Sequence, residues 1–354
     1  MATLEDVSKI AGVSKSTVSR VVRGEQAVSA RTRARVLEAI DAIGYRPNEL
    51  ARGLMTGSQR QVAVIVPDIR IEFFSRIVHG VEEALRQQQH LVLILNSGES
   101  TARLEECIVA AKTTRVAGLV VVPAGHDRDL ERVFSGLPFP VVSVSREPWT
   151  PRIDAVSCDN REAGYLAGKH LLELGHRAIA YLEGPRTSKA ARLRTEGFKD
   201  ALREYGYPFL TELSGVGDLT YESGTAFGRE LIAKNQPFTA VFAANDPMAV
   251  GVIDELSIAG IRVPEDVSVI GVDGSQEAAR PSVRLTTVLE APEEMGKRAA
   301  VILHDRIRGW DAPPIQVKFH ADLVWRATTR AIATPDGPSF PAGVTSDADQ
   351  QARG

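Results

Sequence analysis

The chain has 354 residues, of which 44% are hydrophobic, 25% charged and 6% aromatic. That length suits two or three domains, and the balance excludes a disordered or fibrous protein. The formal net charge of -3 is unevenly placed: residues 1–60 carry ten Lys or Arg against six Asp or Glu, and the remainder carries 32 against 39. A basic head on an acidic body suits a head that meets a polyanion. No run of 18 apolar residues and no basic-then-apolar start occurs, so the sequence predicts a cytoplasmic protein with no membrane partner. Cys107 and Cys158 have no neighbouring His and read as core thiols, with no disulfide framework and no zinc site.

In chain order, the first sixty residues predict three short helices. Thr3 and Asp6 make a capping-box start, and Leu4, Val7, Ile10 and Ala11 recur at helical spacing until Gly12 breaks the run. Ser14 caps a second helix, Lys15 to Val22. A third follows Ser29, carries Val36, Leu37, Ile40 and Ile43 on one stripe, and stops at Gly44 with Pro47 beyond.

After residue 60 the pattern alternates. "QVAVIVPD", "LVLIL", "AGLVVVP" and "PVVSVS" read as strands, with helices in "FSRIVHGVEEALRQQQ" and "RLEECIVAAKTT". The cycle then restarts. Helices in "EAGYLAGKHLLELGH", "ARLRTEGFKDALREYG", "FGRELIAK" and "PMAVGVIDELSIAG" alternate with strands "RAIAYLEGP", "TAVFAAND" and "VSVIGVDG". This is an α/β arrangement of two parallel open sheets with crossover helices, whose strand-end loops surround a shared cleft. The tail from Ala331 is rich in Pro, Gly, Ser and Asp and reads as disordered.

On a helical wheel of residues 15–23, Thr17, Val18, Val21 and Val22 gather on one side and Lys15, Ser16, Ser19, Arg20 and Arg23 on the other. The apolar side packs on Leu4, Val7 and Ile10. The polar side is slender enough for a DNA major groove about 12 Å wide, where Arg and Lys donate to guanine and hydroxyls hold phosphates. A solvated face on an ordinary helical hairpin is the other reading of the same wheel. The turn "AGVS", with Gly12 free to take positive φ, is what a helix-turn-helix requires.

"TLEDVSKIAGVSKSTVSRVVRG" and "VSARTRARVLEAIDAIGYRPNELARGLMTG" resemble the headpiece of the lactose/galactose repressor (LacI/GalR) family. The resemblance continues in order through "HLLELGHRAIAYLEGP", "RLRTEGFKDAL", "VFAANDPMAVGVIDEL", "GIRVPEDVSVIGVDG" and "LTTV" to about Arg330. It implies a helix-turn-helix headpiece over 1–46, a hinge helix and linker over 47–60, and a two-lobed, periplasmic-binding-protein-like body over 61–330. Lobe 1 would take about 61–158 and 291–319, and lobe 2 about 159–290 and 320–330, with the disordered tail over 331–354.

By the same resemblance, Lys15, Ser16 and Arg20 read bases. Ser14, Thr17, Ser19, Ser29, Tyr45 and Asn48 touch phosphates or support such contacts, and Arg23 stands where the family usually has asparagine. "NELARGLMT" resembles the hinge helix, short and weakened by Gly53, with Asn48 as its cap. Leu54 would be the wedge that enters the minor groove, its other reading being an interdomain core leucine.

The resemblance also implies a small effector, a sugar or related metabolite. Candidate contacts on loops after strands are Phe73, Phe74, Arg146, Arg194, Asn245, Asp246 and Asp273, with Glu290 after "LTTVL" where the family often has glutamine. Aromatic faces stack on sugar rings, and Asp, Asn and Arg pair with hydroxyls. Phe73 and Phe74 also fit helix-start core positions, and Asp246 before Pro247 fits a helix cap. Leu219 replaces a frequent aromatic, leaving ring stacking to Tyr221 or absent, and Ser145 replaces a common aspartate.

No HExxH, Walker loop, GxSxG or GxGxxG after a strand is present, and the seven His show no ligand spacing, so neither enzyme, metal site nor cofactor is predicted. The expected function is an effector-controlled transcriptional regulator, a repressor, binding a pseudo-palindromic double-stranded DNA operator as a homodimer. The alternative is the solute-binding protein of a transport system, which shares the body but predicts a signal peptide and no headpiece.

Overall fold

The computed structural model describes residues 3–22, 28–45, 60–98, 100–123, 127–145, 148–234 and 236–332. The chain divides into two compact units, Met1–Arg60 and Gln61–Gly354. Arg23, Asn48, Leu54, Arg146, the hinge helix and the tail beyond residue 332 all lie outside the described residues.

The first unit contains α1 (Leu4–Ala11), α2 (Lys15–Val22) and α3 (Ala30–Ile43). Local chemistry sets their ends. Thr3 and Asp6 form a reciprocal capping box, the Thr3 N–H donating to Asp6 Oδ2 at 2.9 Å and the Asp6 N–H to Thr3 Oγ1 at 3.3 Å. Ser14 Oγ accepts from the Thr17 N–H, and Ser29 Oγ from the Thr32 N–H. Gly12 closes α1 at φ 60°, a left-handed turn that costs glycine nothing. The core of this small unit is Val7, Ala11, Val18, Val21, Val36 and Ala39.

Two residues expected there are not in it: Ile10 and Leu37 are 56% and 49% exposed. The buried stripe of α3 centres between Val36 and Ala39, so Leu37, rotated about 100° from Val36, falls off its edge. In α1 the stripe follows Leu4, Val7 and Ala11, which leaves Ile10 at the margin.

The second unit holds two six-stranded sheets. The first runs β11 (Gln316–Phe319), β5 (Asp154–Cys158), β4 (Val141–Ser145), β3 (Gly118–Val121), β1 (Gln61–Val66), β2 (Leu91–Asn96), all parallel. The second runs β12 (Asp322–Val324), β10 (Thr286–Leu289), β9 (Ser268–Asp273), β8 (Ala240–Ala243), β6 (Ile179–Glu183), β7 (Ser214–Val216), with β12 alone antiparallel. Burial of β1 from Val62 onward and of all of β9 explains their apolar runs, as expected of parallel strands covered on both faces. At the second core Tyr181 stacks on Phe242 with ring centroids 4.8 Å apart, and Phe198 meets both rings.

Strands β5, β7, β10, β11 and β12 and the helices Asp127–Phe134, Gln276–Ala279 and Pro292–Ile307 lie outside the elements that periodicity predicts. The helix Pro292–Ile307 packs on the helix Glu72–Gln87 and on β3, β4 and β5, so a late segment completes the first lobe. No described helix is long and apolar enough to cross a membrane.

The segment after β12 is strapped to the second lobe. The Thr328 hydroxyl donates to Val269 O at 2.7 Å, His170 Nε2 lies 2.9 Å from Thr329 Oγ1, and His176 Nε2 donates to Arg330 O at 3.0 Å. Burial, helped by His176, holds the His170 imidazole down at about 4, against 6.5 for an unperturbed group. Its folded-state value lies below the unfolded one, so its contribution to stability is complete above pH 6.5. That contribution is lost as pH falls toward 4, by up to about 1.4 kcal/mol per unit. A His170→Gln protein should therefore lose less unfolding free energy than the parent between pH 7 and pH 5 in urea titrations. Equal losses would refute this role.

Candidate functional site

Two sites emerge, one in each unit. On α2, Val18 and Val21 are buried while Ser14, Lys15, Ser16 and Arg20 are exposed, with Thr17 and Ser19 between. One short helix with its cap Ser14 therefore presents Ser16, Ser19 and two cations on one side while anchoring itself by valines. Arg35 of α3 donates to Ala11 O and braces the turn between α1 and α2. Lys15 Nζ meets Glu5 Oε2 at 2.7 Å, and this contact, with Lys9 behind it, holds the Glu5 carboxyl below its usual range. Both side chains are more than half exposed, so the pair is readily exchanged for another anion. Ser29 serves as the cap of α3, and half-buried Tyr45 packs against the headpiece core, where burial raises its phenol.

In the second unit a cleft is lined by Phe73, Phe74, Arg194, Asn245 and Asp273 of the expected residues, with Ser145 and Leu219. Phe73 and Phe74 sit edge to face at 5.6 Å at the start of the helix Glu72–Gln87, so they are both helix-start core residues and cleft wall. Asn245 caps the helix Asp246–Ile258 through Oδ1 and donates from Nδ2 to Leu219 O at 2.9 Å.

Arg194 is 6% exposed and is held on several sides. Nε donates to Asn160 Oδ1 at 2.9 Å, Nη1 to Ala244 O at 2.5 Å, and Nη2 to Glu290 Oε2 at 2.8 Å, with Asp273 Oδ1 at 3.4 Å. The two carboxylates hold the guanidinium firmly protonated against its burial. Burial pushes the Asp273 carboxyl well up, Arg194 opposing this and Glu290 and Asp246 adding to it.

Two expected contacts stand behind the lining, which corrects their reading as cleft residues. Asp246 is fully buried, accepting from Thr287 Oγ1 at 2.5 Å and from the Ser275 N–H at 2.7 Å. It fixes the loop that carries Asp273, and the capping role assigned to it belongs to Asn245. Burial raises its carboxyl to about 6, against the hydrogen bonds from Thr287 and Ser275. Glu290, 1% exposed, faces Arg194 with one oxygen, and its Oε1 is buried without a hydrogen bond among the described residues. Tyr221 is also absent from the lining, its hydroxyl donating to Asp254 Oδ2 at 2.8 Å, so it supplies no stacking.

Sequence reasoning missed Thr187, Ser188 and Lys189, which line the cleft where the loop enters the helix Lys189–Glu204. It also missed backbone strain. Ser145, Leu219 and Asp273 adopt φ of 77°, 70° and 118°, uncommon for residues with side chains, and all three line the cleft.

Cys158 is buried and its thiol is pushed far up by that burial, so it is inert. Among the described residues, His79, Glu83 and Glu293 bring ligand atoms within 4.8 Å, but Lys297 Nζ pairs with both glutamates at 3.0 Å and stands where a cation would.

A groove-sized basic helix face joined to a strained, two-lobed polar cleft defines a ligand-responsive DNA-binding regulator. Residues 3–48 match the sequence model for bacterial regulatory proteins of the lacI family, and residues 169–329 that for a periplasmic binding protein-like domain. The HTH-type transcriptional repressor PurR of Mannheimia succiniciproducens is 34% identical over 336 residues, covering 94% of this chain and 100% of its own. The PurR of Pasteurella multocida is 32% identical, covering 94% and 99%.

Among solved structures, the transcriptional regulator CelR in its cellobiose complex superposes with a TM-score of 0.69 at 32% identity, covering 93% of this chain and 100% of its own. The Lac repressor dimer bound to operator and the anti-inducer ONPF gives 0.85 at 28% identity, covering 93% and 99%. The chain belongs to the LacI family of bacterial regulatory proteins. It is a ligand-responsive, DNA-binding transcriptional repressor and not an enzyme, and the headpiece match disfavours the solute-binding alternative.

Proposed function

We propose that this repressor works in the cytoplasm as a homodimer on a pseudo-palindromic operator, and that a neutral, hydroxyl-rich molecule of the sugar class in the cleft sets its affinity. The observation that carries the ligand class is the charge balance around Arg194. Its guanidinium is already met by Asp273 and Glu290, so the cleft has no spare buried cation there for an anionic ligand, whereas Asp273 and Asn245 offer hydrogen bonds to hydroxyls. The cellobiose carried by CelR and the ribose carried by a LacI family regulator from Enterococcus faecium are consistent with that class.

In this reading the headpiece ends at residue 46, the hinge and linker occupy 47–60, and the lobes divide at the boundaries given above. Lys15, Ser16 and Arg20 select bases, and Ser14, Thr17, Ser19, Arg23, Ser29, Tyr45 and Asn48 meet or support the phosphate backbone. Leu54 wedges the operator centre, and Arg146 joins the cleft.

The test is selection of bound duplexes from a random pool, followed by affinity measurements on the winner and on an unrelated duplex at one salt concentration, with and without a panel of neutral saccharides. A palindromic winner and a saccharide that shifts its affinity are expected. Arg20→Ala should cost about 1–3 kcal/mol on the selected duplex, and much less on the unrelated one. Equal losses would make Arg20 a phosphate contact, and the lack of any palindrome would overturn the dimeric reading.

A further inference from the structure

The chain crosses between lobes three times: from β5 into the helix Asn160–Glu173, from β10 into the helix Pro292–Ile307, and from β11 into β12. Hydrogen bonds tie the first crossing to the third. The Asp159 N–H donates to Phe319 O at 3.0 Å, Asp159 Oδ2 pairs with Lys318 at 2.7 Å, and Glu162 Oε2 accepts from the Ala321 N–H at 3.1 Å.

The second crossing joins this set through Arg194. Its Nε holds Asn160, the first residue past one crossing, and its Nη2 holds Glu290, the first residue past β10. Both partners are at most 3% exposed and neither lines the cleft. The same Nη2 lies 3.4 Å from Asp273, which does line it. Beyond Asp273 the loop is bonded to the other lobe, Arg76 Nη1 donating to Gly274 O at 2.9 Å and the Gln276 N–H to Glu72 Oε1 at 2.8 Å.

We propose that Asn160 and Glu290 are positioning residues: by holding one guanidinium to the second-lobe ends of two of the three crossings, they set the place of Arg194 in the cleft and tie those two crossings to each other. A ligand that draws on Arg194 or Asp273 then alters bonds at the crossings themselves. The functional meaning rests on the cleft reading above, but the link is tested without any ligand.

The experiment is hydrogen–deuterium exchange on the full chain, read at residues 156–162 and at residues 287–295. Asn160→Ala should raise exchange about ten-fold in the distant 287–295 segment, while strand β8 stays protected. Asn160→Asp, which keeps an acceptor for Nε but loses the donor to Cys158 O, should leave the 287–295 segment as in the parent. A rise confined to 156–162, or an Asp variant as perturbed as the Ala variant, would overturn the proposal. If Asn160→Ala also loosens β8, Glu290→Gln replaces it, read at 156–162, where parental exchange would overturn the link. Failure of the saccharide panel with these exchange results intact would strike the ligand reading alone.

Discussion

Arg194→Ala is expected to lower the unfolding free energy by about 3–5 kcal/mol at neutral pH, because it leaves two buried carboxylates facing each other without their cation. The loss has a pH signature. Without Arg194, buried Asp273 holds its proton in the folded state to higher pH than in the unfolded chain. Stability is then present at low pH and lost as pH rises, and the deficit against the parent is greatest near pH 8 and shrinks toward pH 5. Burial already pushes Asp273 in that direction with the arginine in place. Urea titrations at the two pH values read the difference directly, and a deficit that does not change with pH would show that the carboxylates do not carry it. Saccharide response should vanish in the same variant.

Gly164→Ala should be destabilising although the residue is helical and alanine is the better helix former by about 1 kcal/mol. A Cβ at Gly164 would lie 1.9 Å from the Arg194 carbonyl oxygen, and one at Gly197 would lie 1.9 Å from that of Arg161. The helices Asn160–Glu173 and Lys189–Glu204 therefore meet backbone to backbone. The clash cannot be relieved by turning a side chain, so a net cost of about 1–3 kcal/mol or more is expected. It would also push Arg194, so a folded Gly164→Ala protein should show altered ligand response although Gly164 itself does not line the cleft. Thermal unfolding checks the first part, and an unchanged or raised midpoint would contradict it.

What was legible in the sequence was mostly local. Thr3, Ser14, Ser29, Gly12 and Gly44 announce helix ends within three or four residues, and β1, β6, β8 and β9 are continuous apolar runs. The strand Gln316–Phe319 alternates exposed and half-buried residues at a sheet edge, so neither its length nor its composition marks it. The cleft was half legible for the same reason. Phe73 and Asp273 are legible because strand ends face the cleft, whereas Arg194 lies inside the helix Lys189–Glu204 and only the resemblance marks it; a carboxylate at a strand end looks the same whether it points into the opening or beneath it. Asp246 points beneath because Thr287, 41 residues away, supplies its hydroxyl. No local pattern marks the left-handed backbone of Ser145 and Leu219, since neither is glycine.

The late return of the chain has a consequence for synthesis. The headpiece is made of contacts within 60 residues and is complete almost as soon as it leaves the ribosome. The first sheet waits for Gln316–Phe319 and the second for Asp322–Val324, so neither half of the sensor has its last strand until more than 310 residues have been joined. A ribosome that stops early releases a reader of DNA whose sensing lobes expose unpaired strand edges, a form prone to aggregation and suited to removal by proteases.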